Sequence, residues 1–425
     1  MAAANGARAL AREDLQRCAW LFGVTFALQV ALSVAVAASS GMPLPALAAY
    51  NDGHLYLEIA KSFPLPYAAE GPHYLGHAPG YPALIAAVHA LTPDAWVDWG
   101  TAALLASWLP AALSAIAFYA LCLATGVPPL WPTLFFVAAN PFHVLLGASA
   151  HAEPAAGLFA ILCFVAFARD RLGWSVAWLS VAALCRFPAI LLGAPLAFGV
   201  LVLRGRRDLR SVATLGVPLL VFALFNLYLR WRVPGFSNVF ESHAIFWDAP
   251  FRDAFSAIAT LAAMGATWRE EFPLWAIWIN LAVYALALVA GLRPGERERW
   301  PLALWVGVIA GFHAALGGVM GALALPRMMI LAWPPSVLIL ARFVGPRSPR
   351  ATTAALCALL AIASFALARD VLSFVTRAQA QTFLPDVIAR IHDDEPHWID
   401  FEAWRAERRR ELREERRLRR AAPQP

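Results

Sequence analysis

The chain has 425 residues, 60% hydrophobic and 15% charged, with a formal net charge of +6 and a mean hydropathy of +0.60. Soluble domains carry about 25% charged residues, so the composition excludes a water-soluble globular enzyme. Apolar runs of about twenty residues recur along the chain and predict multiple membrane-spanning helices. No Walker motif and no GxGxxG occurs, which points away from ATP-driven transport and from a dinucleotide cofactor. Cys18, Cys122, Cys163, Cys185 and Cys357 sit singly in apolar segments, the pattern of small buried hydrophobes rather than of disulfides or zinc ligands.

The first apolar run, "CAWLFGVTFALQVALSVAVAASSG", follows Arg8, Arg12 and Arg17. It is longer than the roughly 7–15 apolar residues of a secretory signal and reads as a retained helix with a cytoplasmic N-terminus. Further spans are expected near 100–124, 131–149, 155–168, 174–186, 188–203, 211–230, 272–292, 300–323, 326–344 and 351–369. A hairpin break falls at Phe187-Pro188, where the proline interrupts the helix. The expected fold is all-α: a polytopic transmembrane bundle of about eleven spans over residues 1–370, followed by a soluble basic tail, 371–425. The short connections 169–171, 204–210, 293–299 and 346–350 are arginine-rich and so mark the cytoplasmic side. Loops 41–99 and 231–271 then fall outside, and their length suggests that they carry the function. An odd span count places the tail outside as well, whereas a polybasic tail suits anionic lipid on the cytoplasmic face; its side stays open.

Four places carry candidate chemistry. In "AAYNDGHLYLEIAKSF", Asp52 lies beside Glu58 and Lys61, the single lysine among 34 basic residues. One reading makes it the cap of a short amphipathic helix on the membrane surface. The other makes it a general base whose pKa is raised by partial desolvation; both fit one residue. "HAPGYP" (77–82) predicts a rigid turn into the next helix. His54, His73 and His77 lack a metal-ligand spacing, so no metal and no cofactor is expected, although assistance by a divalent ion stays open. In "HAEP" (151–154), Glu153 either complements a helix dipole or is a functional acid at membrane depth. Arg186 and Arg327 lie apart from the arginine-rich connections. Each either snorkels to the interface or binds phosphate in a buried site.

Carboxylates and arginines converging at the outer surface suit a phosphate-bearing lipid substrate. The order "YNDGHLYLEIA", "HAPGYPALIA", "NPFHVLLGASAHAEPAAGLFAIL", "GWSVAWLSVAALCRFPAILL", "FSNVFESHAIFWDAP" and "LPRMMILAWPPSVLILA" resembles the GT-C membrane glycosyltransferases. The likeness is to bacterial relatives of the GPI mannosyltransferases and to the protein-mannosyltransferase and aminoarabinose-transferase group, over about residues 18–370. The resemblance implies a polyprenyl-phosphate sugar as donor, mannose being one candidate sugar, and a lipid, glycan or protein hydroxyl as acceptor. It further implies a bacterial plasma-membrane location and an extracytoplasmic site, with no nucleic-acid partner. By the same resemblance Asp52 is the base, Arg327 and Arg186 hold the donor phosphate, and Glu153 positions substrate. Tyr56, His77 and Tyr81 in the first outer loop, and His243, Phe246 and Trp247 in the second, would line the pocket. A lipid-linked glycan transporter and a non-catalytic GT-C-like protein are the alternatives.

Overall fold

The computed structural model describes residues 12–49, 52–64, 77–92, 97–233, 236, 238–239, 255–264, 274–293, 297–315, 325, 327–344, 361–369 and 410. His243, Phe246, Trp247, His73, Cys357 and the basic tail apart from Arg410 lie outside the described residues, as do most of loop 231–271 and the connection 346–350. Among the described residues every regular element is helical. The first long helix, α1 (Arg12–Ser40), leads through a 3₁₀ turn (Leu44–Ala49) into α2 (Gly53–Lys61) and then α3 (Gly80–Leu91). After these come α4 (Trp99–Ala124), α5 (Leu130–Ala138), α6 (Pro141–Gly147), α7 (Glu153–Ala168) and α8 (Leu172–Cys185). A short helix α9 (Gly193–Ala197) lies between a 3₁₀ segment (Phe187–Leu192) and a π-helical one (Phe198–Leu203). The chain continues with α10 (Leu209–Arg232), α11 (Ser256–Met264), α12 (Leu274–Gly291), α13 (Trp300–Ala314) and α14 (Trp333–Val344).

By length and composition α1, α4 and α10 are each sufficient to cross a membrane; α5 and α6, bent by 73° at their junction, make a fourth span if taken together. The bend falls where Pro141 follows Asn140, whose side chain accepts from the backbone N–H groups of Phe142 and His143 and so restarts the helix. The break expected at Phe187-Pro188 is present: α8 ends at Cys185 and a 3₁₀ turn begins at Phe187. Other apolar helices are shorter, among them α3, α7 and α8 with 12, 16 and 14 residues. The result is a polytopic helical membrane protein.

The centre of the bundle is α4 packed on α1 and α7. Its contact face is rich in alanine, with Ala102, Ala103, Ala106, Ala111, Ala112 and Ala115 buried, against Ala155, Ala156 and Ala160 of α7. Lipid tails are as apolar as leucine, so apolarity does not drive helices together within a bilayer; small side chains permit the close approach on which their packing depends. Several serines in this region find backbone acceptors. Ser33 Oγ donates to Ala148 O at 2.6 Å and accepts from Trp108 Nε1 at 3.2 Å, tying α1, α4 and the end of α6 together. By contrast α10 turns Leu219, Leu220, Leu224 and Leu227 outward, as a lipid-facing helix requires.

Direction along the bundle follows from the contacts. The C-terminal part of α4 meets the start of α1 through Tyr119 Oη, 2.7 Å from Asp14 Oδ1, and Arg342 of α14 donates to Thr125 O just past α4. At this same end the connection after α7 meets the one before α10: Asp170 pairs with Arg204 at 2.7 Å and Arg206 at 2.5 Å. Arg293 there covers the Phe343 ring at 4.4 Å. The described arginine-rich connections therefore share one end of the bundle. The N-termini of α4 and α7 point to the other.

Candidate active site

The opposite end is assembled from four distant stretches of chain. Asp52 precedes α2, Glu153 is the first residue of α7, Arg186 follows α8, and Arg327 lies just before the 3₁₀ turn Met329–Ala332 that leads into α14. Two glycines allow the elements to approach. A Cβ on Gly53 would lie 1.9 Å from the Ala48 carbonyl oxygen, and one on Gly80 would lie 2.8 Å from that of Leu184. Gly53 thus fits the tight turn into α2, and Gly80 lets the start of α3 sit against the end of α8 beside Arg186.

The four side chains form one charge network. Arg327 Nη2 donates to Asp52 Oδ2 at 2.6 Å and its Nε to Glu153 Oε1 at 2.5 Å. Arg186 Nη2 lies 2.8 Å from the same Glu153 oxygen. His77 Nε2 is 3.4 Å from Asp52 Oδ2. Tyr56, one turn into α2, receives Arg186 Nη1 on its hydroxyl at 3.4 Å and packs edge-on against the rings of His77 and Tyr81, each 5.0 Å away. Both carboxylates are buried, Asp52 and Glu153 at 4% exposure each. Among the described residues Asp52 Oδ1 and Glu153 Oε2 are buried oxygens that accept no hydrogen bond. A narrow cavity of about 20 Å³ reaches the Glu153 side, lined also by Ser114, His143 and Pro154, with room for about one water.

Six of the ten site residues expected from sequence are thus linked by contacts: Asp52, Glu153, Arg186, Arg327, His77 and Tyr56. Tyr81 stands one layer behind, its hydroxyl donating to Ala103 O at 2.9 Å; it braces Tyr56 and α4. His243, Phe246 and Trp247 lie outside the described residues.

Three expectations change. Asp52 precedes α2 but its side chain makes no capping bond. Its backbone is already helical (φ −71°, ψ −8°), whereas a capping side chain works from extended geometry, and Arg327 engages the carboxylate instead. Nor does α2 lie on a membrane surface, for Leu55, Tyr56, Leu57, Glu58, Ile59 and Ala60 are all buried. Lys61 at its far end pairs with Glu58 at 3.9 Å, both side chains enclosed. The third change concerns basicity. Burial pushes the Asp52 carboxyl up, but the charge of Arg327, the hydrogen bond and charge of His77 and the charge of Arg186 together hold it well below the ordinary carboxylate range. In this state Asp52 is a weak base, and both arginines are occupied by carboxylates.

The motif "HAEP" points to Glu153 in sequence, but His151 at its start also belongs to the site. It is buried, its Nδ1 is 2.8 Å from Ser149 Oγ, and its backbone oxygen accepts from Ser107 of α4. Burial, with the nearby Arg327 charge, pushes its pKa down to about 4, so it is a neutral member of the site at pH 7. Nothing in the sequence around it marks it as buried.

The architecture and the site together define a helical membrane protein with a buried carboxylate–arginine cluster at the end remote from its arginine-rich connections. No protein-family model matches the sequence, and no curated protein is similar to it. Among solved structures the chain is similar to ArnT from Cupriavidus metallidurans bound to undecaprenyl phosphate, at 14% identity and a TM-score of 0.49 over 88% of this chain and 77% of that one. For ArnT from the same organism in the apo state the values are 15% identity and a TM-score of 0.41, over 80% of this chain and 72% of that one. Likeness at this level assigns no activity.

Proposed function

We propose that the protein is a membrane glycosyltransferase that moves a sugar from a polyprenyl-phosphate donor to an acceptor hydroxyl, with inversion at the anomeric carbon. The observation that carries this reading is the convergence of Asp52, Glu153, Arg186 and Arg327 on one buried site. These are the groups that the sequence resemblance assigns to base, positioning and phosphate roles. A buried site with two guanidiniums suits a phosphate leaving group, whose developing charge needs fixed cations. A carboxylate with one unengaged oxygen suits removal of the acceptor proton. The phosphate leaves without protonation, so a single base suffices. Short arginine-rich connections lie on the cytoplasmic side in general, which supports an extracytoplasmic position for the cluster at the opposite end. Glu153 holds both arginines in register through Oε1, and His77 and Tyr56 buttress Asp52 and Arg186. The resemblance suggests mannose as one candidate sugar, and the acceptor is a lipid, glycan or protein hydroxyl.

The test is transfer in membranes from a radiolabelled polyprenyl-phosphate sugar, wild type against Asp52→Asn and Glu153→Gln. Loss of transfer in normally expressed Asp52→Asn supports the assignment. Full transfer in both variants would overturn it, and translocation of a lipid-linked glycan without sugar transfer would replace it with a transporter.

A further inference from the structure

The two arginines that would bind phosphate are engaged by the two carboxylates. Arg327 bridges Asp52 and Glu153, Arg186 is held on Glu153, and all four groups are largely shielded from water. Within this ionic core the two carboxylates balance the two guanidiniums. A phosphodiester entering it adds a negative charge to a low-dielectric space, where an uncompensated charge is expensive. Its oxygens need the donors that the carboxylates now occupy.

The two carboxylates differ in how hard they are to displace. Glu153 is fixed at the N-terminus of α7 and its Oε1 is shared by both arginines, so moving it would break two ion pairs at once, whereas moving Asp52 breaks one between a carboxylate and a guanidinium. Asp52 holds only Arg327, through one oxygen, and has His77 as a second partner for that same oxygen. It is the carboxylate that yields.

Resting on the lipid-phosphate reading above, we infer that Asp52 is a built-in competitor of the donor phosphate for Arg327, so that donor binding itself releases the base. Without donor, Arg327 clamps Asp52 and keeps it unreactive. When the donor phosphodiester takes Arg327, Asp52 loses the cation bonded to it, remains desolvated, and becomes basic enough to accept a hydroxyl proton. The acceptor oxygen then bonds to carbon 1 of the sugar while the bond from that carbon to the phosphate oxygen breaks. The electron pair stays on the phosphate, and the acceptor proton moves to Asp52. The phosphate, now a dianion, keeps both arginines until it departs. Return of Arg327 to Asp52 then expels the proton to water and resets the site. Because the base is uncovered only with the donor in place, the enzyme is protected from binding acceptor productively in its absence.

The inference predicts that removing the base improves phosphate binding. A state needed for binding that is populated at 10% or less lowers the apparent affinity by that fraction. Full-length Asp52→Asn should therefore bind a sugar-free polyprenyl phosphate about 10-fold or more tightly than wild type, while Arg327→Gln binds it more weakly than wild type. Equal or weaker binding by Asp52→Asn, with Arg327→Gln still impaired, would overturn the inference and leave the phosphate site standing. Binding that ignores Arg327→Gln altogether would overturn the lipid-phosphate reading itself. Should Asp52→Asn be too unstable to purify alone, the readout is thermal stabilisation by the same lipid. A larger rise in Tm than wild type shows supports the competition, and an equal or smaller rise overturns it.

Discussion

The two ends of this bundle use the same chemistry for different purposes. At the connections after α7 and before α10, Asp170 pairs with Arg204 and Arg206, but the side chains remain 27–53% exposed. At the other end, Arg327 and Arg186 pair with Asp52 and Glu153, none of the four more than 13% exposed. Water and salt screen the first set, and such pairs contribute about 0–1 kcal/mol. The second set is desolvated, so loss of one partner strands a buried charge and costs about 3–5 kcal/mol. An exposed pair is therefore lost at little cost, and an enclosed one is not.

The comparison can be broken at several points. The largest effect is expected from Asp52→Asn, which should lower sugar transfer by about 10²–10⁴-fold, the usual contribution of a general base, in the radiolabelled-donor assay. Next, Arg327→Gln leaves two buried carboxylates short of a cation and should cost about 3–5 kcal/mol of stability, seen as a lowered Tm in detergent. Gly53→Ala, whose new methyl would collide with the Ala48 carbonyl, should displace α2 and Asp52 with it, for about 1–3 kcal/mol of overpacking together with loss of transfer.

Acid exposes the same contrast more gently. The Asp52 carboxyl is held well below its ordinary value of 3.8, so its contribution to stability is complete above that value and is lost as pH falls through the depressed one. The Tm difference between wild type and Asp52→Asn should accordingly shrink in strong acid. The smallest effect belongs to the exposed end: Asp170→Asn should change stability by less than about 1 kcal/mol and leave transfer intact. A loss comparable to that of Arg327→Gln would show that the two ends are energetically alike.

Much of this was legible in the chain itself. Apolar runs announced the helices because a bilayer leaves the backbone few other ways to satisfy its hydrogen bonds, and Phe187-Pro188 announced a break because proline lacks the N–H that a helix needs. Asp52, Glu153, Arg186 and Arg327 stood out because ionisable groups beside apolar spans are rare and costly. His151 did not, since a histidine gives no sign in sequence of being buried.

Pairing was beyond the reach of sequence. Asp52 and Arg327 are 275 positions apart, and nothing local indicates that the guanidinium would reach the carboxylate. The capping role and the surface position of α2 were inferred from neighbours in sequence, the raised basicity from partial desolvation, and all gave way to neighbours in space. The sequence determined which residues would be expensive to bury and how the chain divides into helices. Only the tertiary structure decided which charge offsets which, because in a desolvated site the free energy of an ionic group depends on the few atoms packed against it.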